Sequence, residues 1–260
     1  MRFRVWLVGA ATLAAACHGK TVNMGAHTPF AGCANEPTVP PAALGLAPFY
    51  AKYLDGYGTP VLSSDKVSDE ALVRACHITG NFVSVSEDVR TALANKHHRV
   101  AVLAEDEQTT DIPEYVDLYQ DFPDTDWNAY RAVSATPQRP VTSTDERNLR
   151  CQPSDIYPGT SSLVSRLAYS MRLLAIVEVD SQFQSQNRAA YDSAMSQNLW
   201  ANTVATKSPE DYWAVGCTAW LGTNARLPAN SRDGLSTYDP PLAALVSTYL
   251  PTNEWLSTCY

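Results

Sequence analysis

The first seventeen residues constrain the rest of the chain most, because they decide where it folds. Arg2 and Arg4 precede an uncharged, mostly apolar run over residues 5 to 16, which ends in Leu13-Ala14-Ala15-Ala16-Cys17. The run is too short to stay in a bilayer as a spanning helix. A basic start, an apolar middle and a small-residue end are the three parts of a secretory signal. The sequence therefore predicts export, with cleavage after Ala16. Small residues leading into a cysteine also match a lipobox, with Leu13 one place earlier than in its commonest form. Cys17 is the predicted lipidation site, and the membrane is predicted as a partner only through that anchor. The other reading is an ordinary cleavable signal, an incidental Cys17 and a freely secreted or periplasmic protein.

Export sets how the six cysteines are read. An oxidising compartment favours disulfides. With Cys17 set aside, one of the rest must stay unpaired or pair outside the chain. Cys76 falls on the apolar stripe of a predicted helix and is the candidate for a buried free thiol. The expected pairs are then Cys33 with Cys259, near the two domain ends, and Cys151 with Cys217; spacing alone leaves other connectivities open. Residues 18 to 45 hold Gly, Ala, Thr, Asn and Pro without an apolar period and read as a spacer. The division is a signal over 1–16, a tether over 17–45 and one domain over 46–260. A chain of 260 residues, 45% hydrophobic, can bury a sizeable core. The net charge of -8 is scattered and no Lys/Arg cluster occurs, which argues against nucleic acid or an anionic membrane surface as partner.

Periodicity predicts a short helix over 46 to 54, broken by Gly56 and Gly58. A longer one follows over 68 to 84, with Ser68 as N-cap and Asp69 and Glu70 in the first turn, where the helix dipole favours anions. Residues 86 to 95 read as another helix, and 99 to 104 as a strand running into Glu105-Asp106-Glu107. Residues 108 to 159, rich in Pro, Asp and Thr, read as irregular. Helices return over 160 to 177, 181 to 197, 208 to 221 and 239 to 249. Ser208, Pro209, Glu210 and Asp211 make a strong start signal for the third of these, and Asp239-Pro240 for the last. The sum is an α+β, helix-rich domain with a small sheet.

On the helix after residue 160, Leu163, Val164, Leu167, Met171 and Leu174 form an apolar stripe, while Ser165, Tyr169 and Arg172 lie opposite. On the later helix, Asp211, Val215 and Thr218 share a face, and Trp213, Cys217 and Trp220 take the core side. His97 and His98 are neighbours and cannot converge on one metal, so a solvated turn is expected there. Glu105, Asp106, Glu107 and Asp111 lack calcium-loop spacing and read as a solvated strand end. No nucleophile elbow and no phosphate loop occurs.

The runs RVAVLAEDEQTTDIPEY, TPQRPVTSTDERNLRCQPSDIYPGTSSLV and SPEDYWAVGCTAWL resemble corresponding stretches of a family of secreted zinc-peptidase-like proteins. That family is itself similar to the catalytic domain of anthrax lethal factor, a gluzincin. The resemblance covers most of residues 46 to 225 and implies a zincin-like domain. It also implies a helix carrying His-Glu-x-x-His, whose histidines face one metal while the Glu activates the bound water. A later helix would supply a carboxylate as third ligand. This chain departs at those positions. Ser165 and Tyr169 stand in place of the two histidines, Arg166 in place of the catalytic Glu, and Arg172 in place of an additional histidine. Asp211 keeps a shorter carboxylate at the third-ligand place, Val215 replaces a second Glu, and Val204 falls near the place of an assisting tyrosine.

What the resemblance implies is therefore a degenerate site with no metal, no cofactor and no peptide cleavage. An unpaired Asp211 in the old metal gap would be costly, so a guanidinium, from Arg172 before Arg166, is expected to reach it. Three functions stay open: a pseudo-peptidase binding an unknown protein or peptide, a hydrolase with a rebuilt site, and a purely structural envelope lipoprotein.

Overall fold

The computed structural model describes residues 31–34 and 36–252. The proposed signal and Cys17 lie outside that range. Within it, the fold is α+β and helix-rich, with a sheet of four strands in the order β1-β2-β3-β4.

Strands β1 (Lys52–Gly56) and β2 (Thr59–Ser63) form an antiparallel hairpin, with Gly56 opposite Thr59. Tyr57 and Gly58 make its two-residue loop, both at positive φ (60° and 87°). Such a loop matches the twist of the strands it joins. The expected helix over 46 to 54 is thus corrected: residues 46–51 form coil and a turn, and Lys52, Tyr53 and Leu54 pair across the hairpin.

Helices α1 (Asp69–Phe82) and α2 (Glu87–Asn95) cross over from β2 to β3 (Arg99–Leu103), which runs parallel to β2. Ser68 and Ser86 cap these helices by accepting from Ala71 N and Val89 N. Side chains of β3 alternate between two cores. Val100 and Val102 face the large helical core, whereas Ala101 and Leu103 face a smaller one with Tyr50, Leu62, Ile112 and Tyr115. Short 3-10 turns and α3 (Leu118–Asp121) cover that second face.

β4 (Val141–Asp145) pairs in parallel with β3, inside a stretch expected to be irregular. Its sequence, VTSTD, looks like a loop, yet every residue is buried. The strand tolerates burial because each polar side chain is satisfied. Thr142 meets His98 and Ser170, Ser143 Oγ accepts from Val133 N, and Thr144 meets Ser162. Asp145 accepts from Arg131 Nε at 2.5 Å and Arg147 Nη2 at 2.7 Å.

After β4 come α4 (Glu146–Leu149) and α5 (Ser162–Met171). Buried Asn148 fixes the start of α5: its Oδ1 accepts from Ser162 N and Ser162 Oγ, both at 2.8 Å. A π-helical stretch, Arg172–Ile176, widens the turn before α6 (Val177–Val179). Then follow α7 (Phe183–Ser196), α8 (Pro209–Trp220), α9 (Arg232–Tyr238) and α10 (Pro240–Ser247). Asp239 caps α10 through Leu242 N, and its other oxygen accepts from Trp200 Nε1 and Tyr212 OH. Among the described residues no helix is long and apolar enough to cross a membrane.

The disulfide pattern corrects the expected one. Cys33 bonds to Cys76, with Cα atoms 5.6 Å apart. The apolar stripe of α1 does bury Cys76, but that stripe faces the segment before β1. At Gly32 a Cβ would lie only 2.3 Å from Asp55 O, so the backbone comes close enough to seat Cys33 on α1. Thr38 also pairs with Tyr53. Cys33 and Thr38, which lie in the segment expected as tether, are therefore fastened to the domain. Cys217 is free and buried rather than paired with Cys151, and burial pushes its thiol well up. Cys151 is engaged in a disulfide. Cys259 lies outside the described residues.

Candidate functional site

Helices α5 and α8 pack side by side, joined in the core by Trp213 Nε1 donating to Ala168 O at 3.0 Å. The apolar stripe read from the sequence is buried: Leu163, Val164, Leu167, Met171 and Leu174 are all in the core. That leaves Ser165, Arg166, Tyr169 and Arg172 half-buried on the side of α5 away from it.

Across the gap, Asp211 stands in the first turn of α8, where the helix dipole favours its charge. The Tyr169 hydroxyl donates to Asp211 Oδ1. Ser208 Oγ donates to Asp211 Oδ2 at 2.7 Å and accepts from Asp211 N at 3.1 Å as the cap of α8. Burial, and then the Asp211 carboxylate, push the Tyr169 phenol far above its ordinary range, so it stays a donor. Arg166 lies over the Tyr169 ring, 5.8 Å from its centre.

Contrary to the expectation from the sequence, Arg172 does not reach Asp211. Its Nη1 lies 3.5 Å from Glu210 Oε1 instead. The reason is competition. Both Asp211 oxygens already accept from hydroxyls, while the longer Glu210 side chain, 43% exposed, extends toward the guanidinium. The tie between the helices survives in another form, a phenol on a carboxylate. Sequence reasoning placed Tyr169 and Asp211 on facing helices but did not join them. A neutral phenol opposite a carboxylate was the available signal.

Val215 belongs to the main core at 4% exposure. The face of Asp211, Val215 and Thr218, expected opposite the core side, is buried after Asp211, since Thr218 is buried as well. Val204 is half exposed on a 3-10 turn, Val204–Thr206, before α8.

These side chains do not fit a zinc ion. Zinc takes thiolate, neutral imidazole or free carboxylate. The site offers a serine hydroxyl, a phenol held protonated and a carboxylate already engaged twice, beside two guanidiniums. Among the described residues no group of three or more His, Cys, Asp or Glu is placed to hold a metal.

Two other expectations are corrected. His98 is not in a solvated turn; it is 3% exposed, and its Nε2 meets Thr142 Oγ1 at 2.8 Å. Burial pushes it down to about 3. The hydrogen-bond chain runs on to Ser170 Oγ at 2.7 Å and ends on Arg166 O, without meeting a carboxylate. His97 is exposed, with φ 56°. Of the acidic strand end, Glu105, Asp106 and Asp111 are exposed, but Glu107 is buried and its Oε2 accepts from Ala104 N at 2.8 Å.

No protein-family profile matches the chain, and no curated protein does. Among solved structures it is similar to the Pro-Pro endopeptidase PPEP-2 from Paenibacillus alvei. The two share 13% sequence identity over 67% of this chain and 89% of that one, with a TM-score of 0.45.

Proposed function

We propose that this chain is an exported, non-catalytic relative of the zinc peptidases, a pseudo-peptidase that binds a protein or peptide on its α5–α8 face. One observation carries the reading: Tyr169 donates to Asp211 where the resemblance calls for histidine and carboxylate on one metal. A hydrogen bond thus does the joining that a cation does in an active member, and the helices keep their packing without it. The sequence resemblance supplies the family, a zincin-like one similar to the lethal factor catalytic domain. Lipidation at Cys17 belongs to the same reading, and the Cys33–Cys76 disulfide is compatible with an oxidising compartment.

The test is to restore the implied ligands. In the combined variant Ser165→His, Arg166→Glu, Tyr169→His, two imidazoles four residues apart face Asp211, which is freed of its phenol partner. If α5 and α8 keep peptidase geometry, this variant binds about one zinc per chain, and a further Asp211→Ala change weakens that binding at least tenfold. A folded variant with no gain in zinc affinity overturns the reading.

A further inference from the structure

Arg166 differs from most of the half-buried or buried arginines among the described residues. Arg74, Arg90, Arg99, Arg131, Arg139 and Arg147 are half-buried or buried, and each donates to a carboxylate or a carbonyl. Arg166 is half-buried as well, yet its Nε has no acceptor. Among the described residues it forms no ion pair, and its contact is the face of the Tyr169 ring. Arg172 is ion-paired through Nη1 to Glu210 at 3.5 Å, a long contact, and like Arg166 its Nε is buried without an acceptor. Arg166 thus lies on the Tyr169 ring and Arg172 beside Glu210, the neighbour of Asp211, so both guanidiniums stand next to the Tyr169–Asp211 pair. Ser165 adds a hydroxyl one turn earlier on the same face.

A buried guanidinium donor without an acceptor is costly to hold, and the Asp211 carboxylate of the same site is already engaged by Tyr169 and Ser208. We propose that Arg166 and Arg172 form a receptor for one carboxylate group of a peptide, either its C terminus or an acidic side chain. This rests on the reading that the α5–α8 face binds rather than cleaves. Planar guanidinium donors match a planar carboxylate through paired hydrogen bonds. In the bound state Arg166 turns off the Tyr169 ring, so that Nε and one Nη face the ligand together. The net charge of -8, with Asp211 and Glu210 beside the site, disfavours a dianion such as phosphate and selects a monoanion.

The experiment follows the arginine Nε–H signals by NMR in the purified full chain, during titration with sodium acetate against sodium chloride at equal ionic strength. Saturable shifts at Arg166 and Arg172 with acetate alone are expected. Arg166→Met should weaken the response at least tenfold, and Arg166→Lys, which keeps the charge without the fork, should weaken it similarly. Arg90→Met should leave it unchanged. Acetyl-dialanine acid against its amide, and acetyl-glutamate amide, then separate a C terminus from a side chain. Shifts that are linear and equal in both salts overturn the proposal, as does saturation indifferent to Arg166→Met or tighter one-to-one binding of phosphate. If acetate fails while the ligand-restored variant binds zinc, the carboxylate class falls and the pseudo-peptidase reading stands.

Discussion

Tyr169 and Asp211 are joined across the α5–α8 interface by a hydrogen bond from phenol to carboxylate. A hydrogen bond to a charged group contributes about 1.5–3 kcal/mol when its partners are shielded. Both residues are half-buried, which places the expected value in the lower part of that range. Tyr169→Phe is therefore expected to lower unfolding stability by about 1.5–2 kcal/mol in denaturant titration. Combined with Asp211→Asn, the losses should be less than additive, because each change removes the same bond. Strict additivity would show that the contact carries no energy.

Buried His98 gives the fold a dependence on acid. Burial, with the charge of Arg99 adding to it, pushes His98 down to about 3. In the unfolded chain its imidazole takes up a proton near pH 6.5. Between those values the unfolded state binds the extra proton, so stability is full above about pH 6.5 and falls as the medium is acidified. The His98 contribution to the slope approaches about 1.4 kcal/mol per pH unit. His98→Asn should flatten the decline of unfolding free energy between about pH 6 and pH 4, measured as a urea series. Equal slopes in both proteins would contradict a neutral buried His98.

The Cys33–Cys76 bond closes a loop with a sequence separation of 43. Chain-entropy reasoning assigns such a loop about 4 kcal/mol, on a model-dependent scale. The paired change Cys33→Ala with Cys76→Ala is expected to cost about 2–4 kcal/mol on unfolding in denaturant. Peptide mapping without reduction should recover Cys33 linked to Cys76, with Cys217 alkylated only after denaturation. A Cys151–Cys217 peptide would contradict the disulfide pattern.

Helices were legible in the sequence where side chains announce their ends. Ser68, Ser208 with Pro209, and Asp239 with Pro240 each cap the helix predicted for them. The burial of the α5 stripe was legible for the same reason, since its period holds until Arg172, where the π-helical stretch begins. The sheet was mostly hidden. β4 is a polar strand whose burial depends on partners distant in sequence, such as His98, Ser170 and Arg131. β1 was hidden by apolar spacing that suits a helix as well as one side of a hairpin. The nearness of Tyr169 to Asp211 followed from the facing of two predicted helices, and Arg166 lies over the Tyr169 ring. The pairing itself was not legible, because two hydroxyl donors and Glu210 compete with the guanidiniums, and the sequence does not rank those contacts.

The Tyr169–Asp211 bond joins α5 and α8 without a metal ion. Elemental analysis of the protein, purified without chelator and then equilibrated with equimolar zinc and desalted, should find far less than one zinc per chain, with Asp211→Ala no different from the parent. About one zinc per chain, abolished by Asp211→Ala, would contradict that metal-free join.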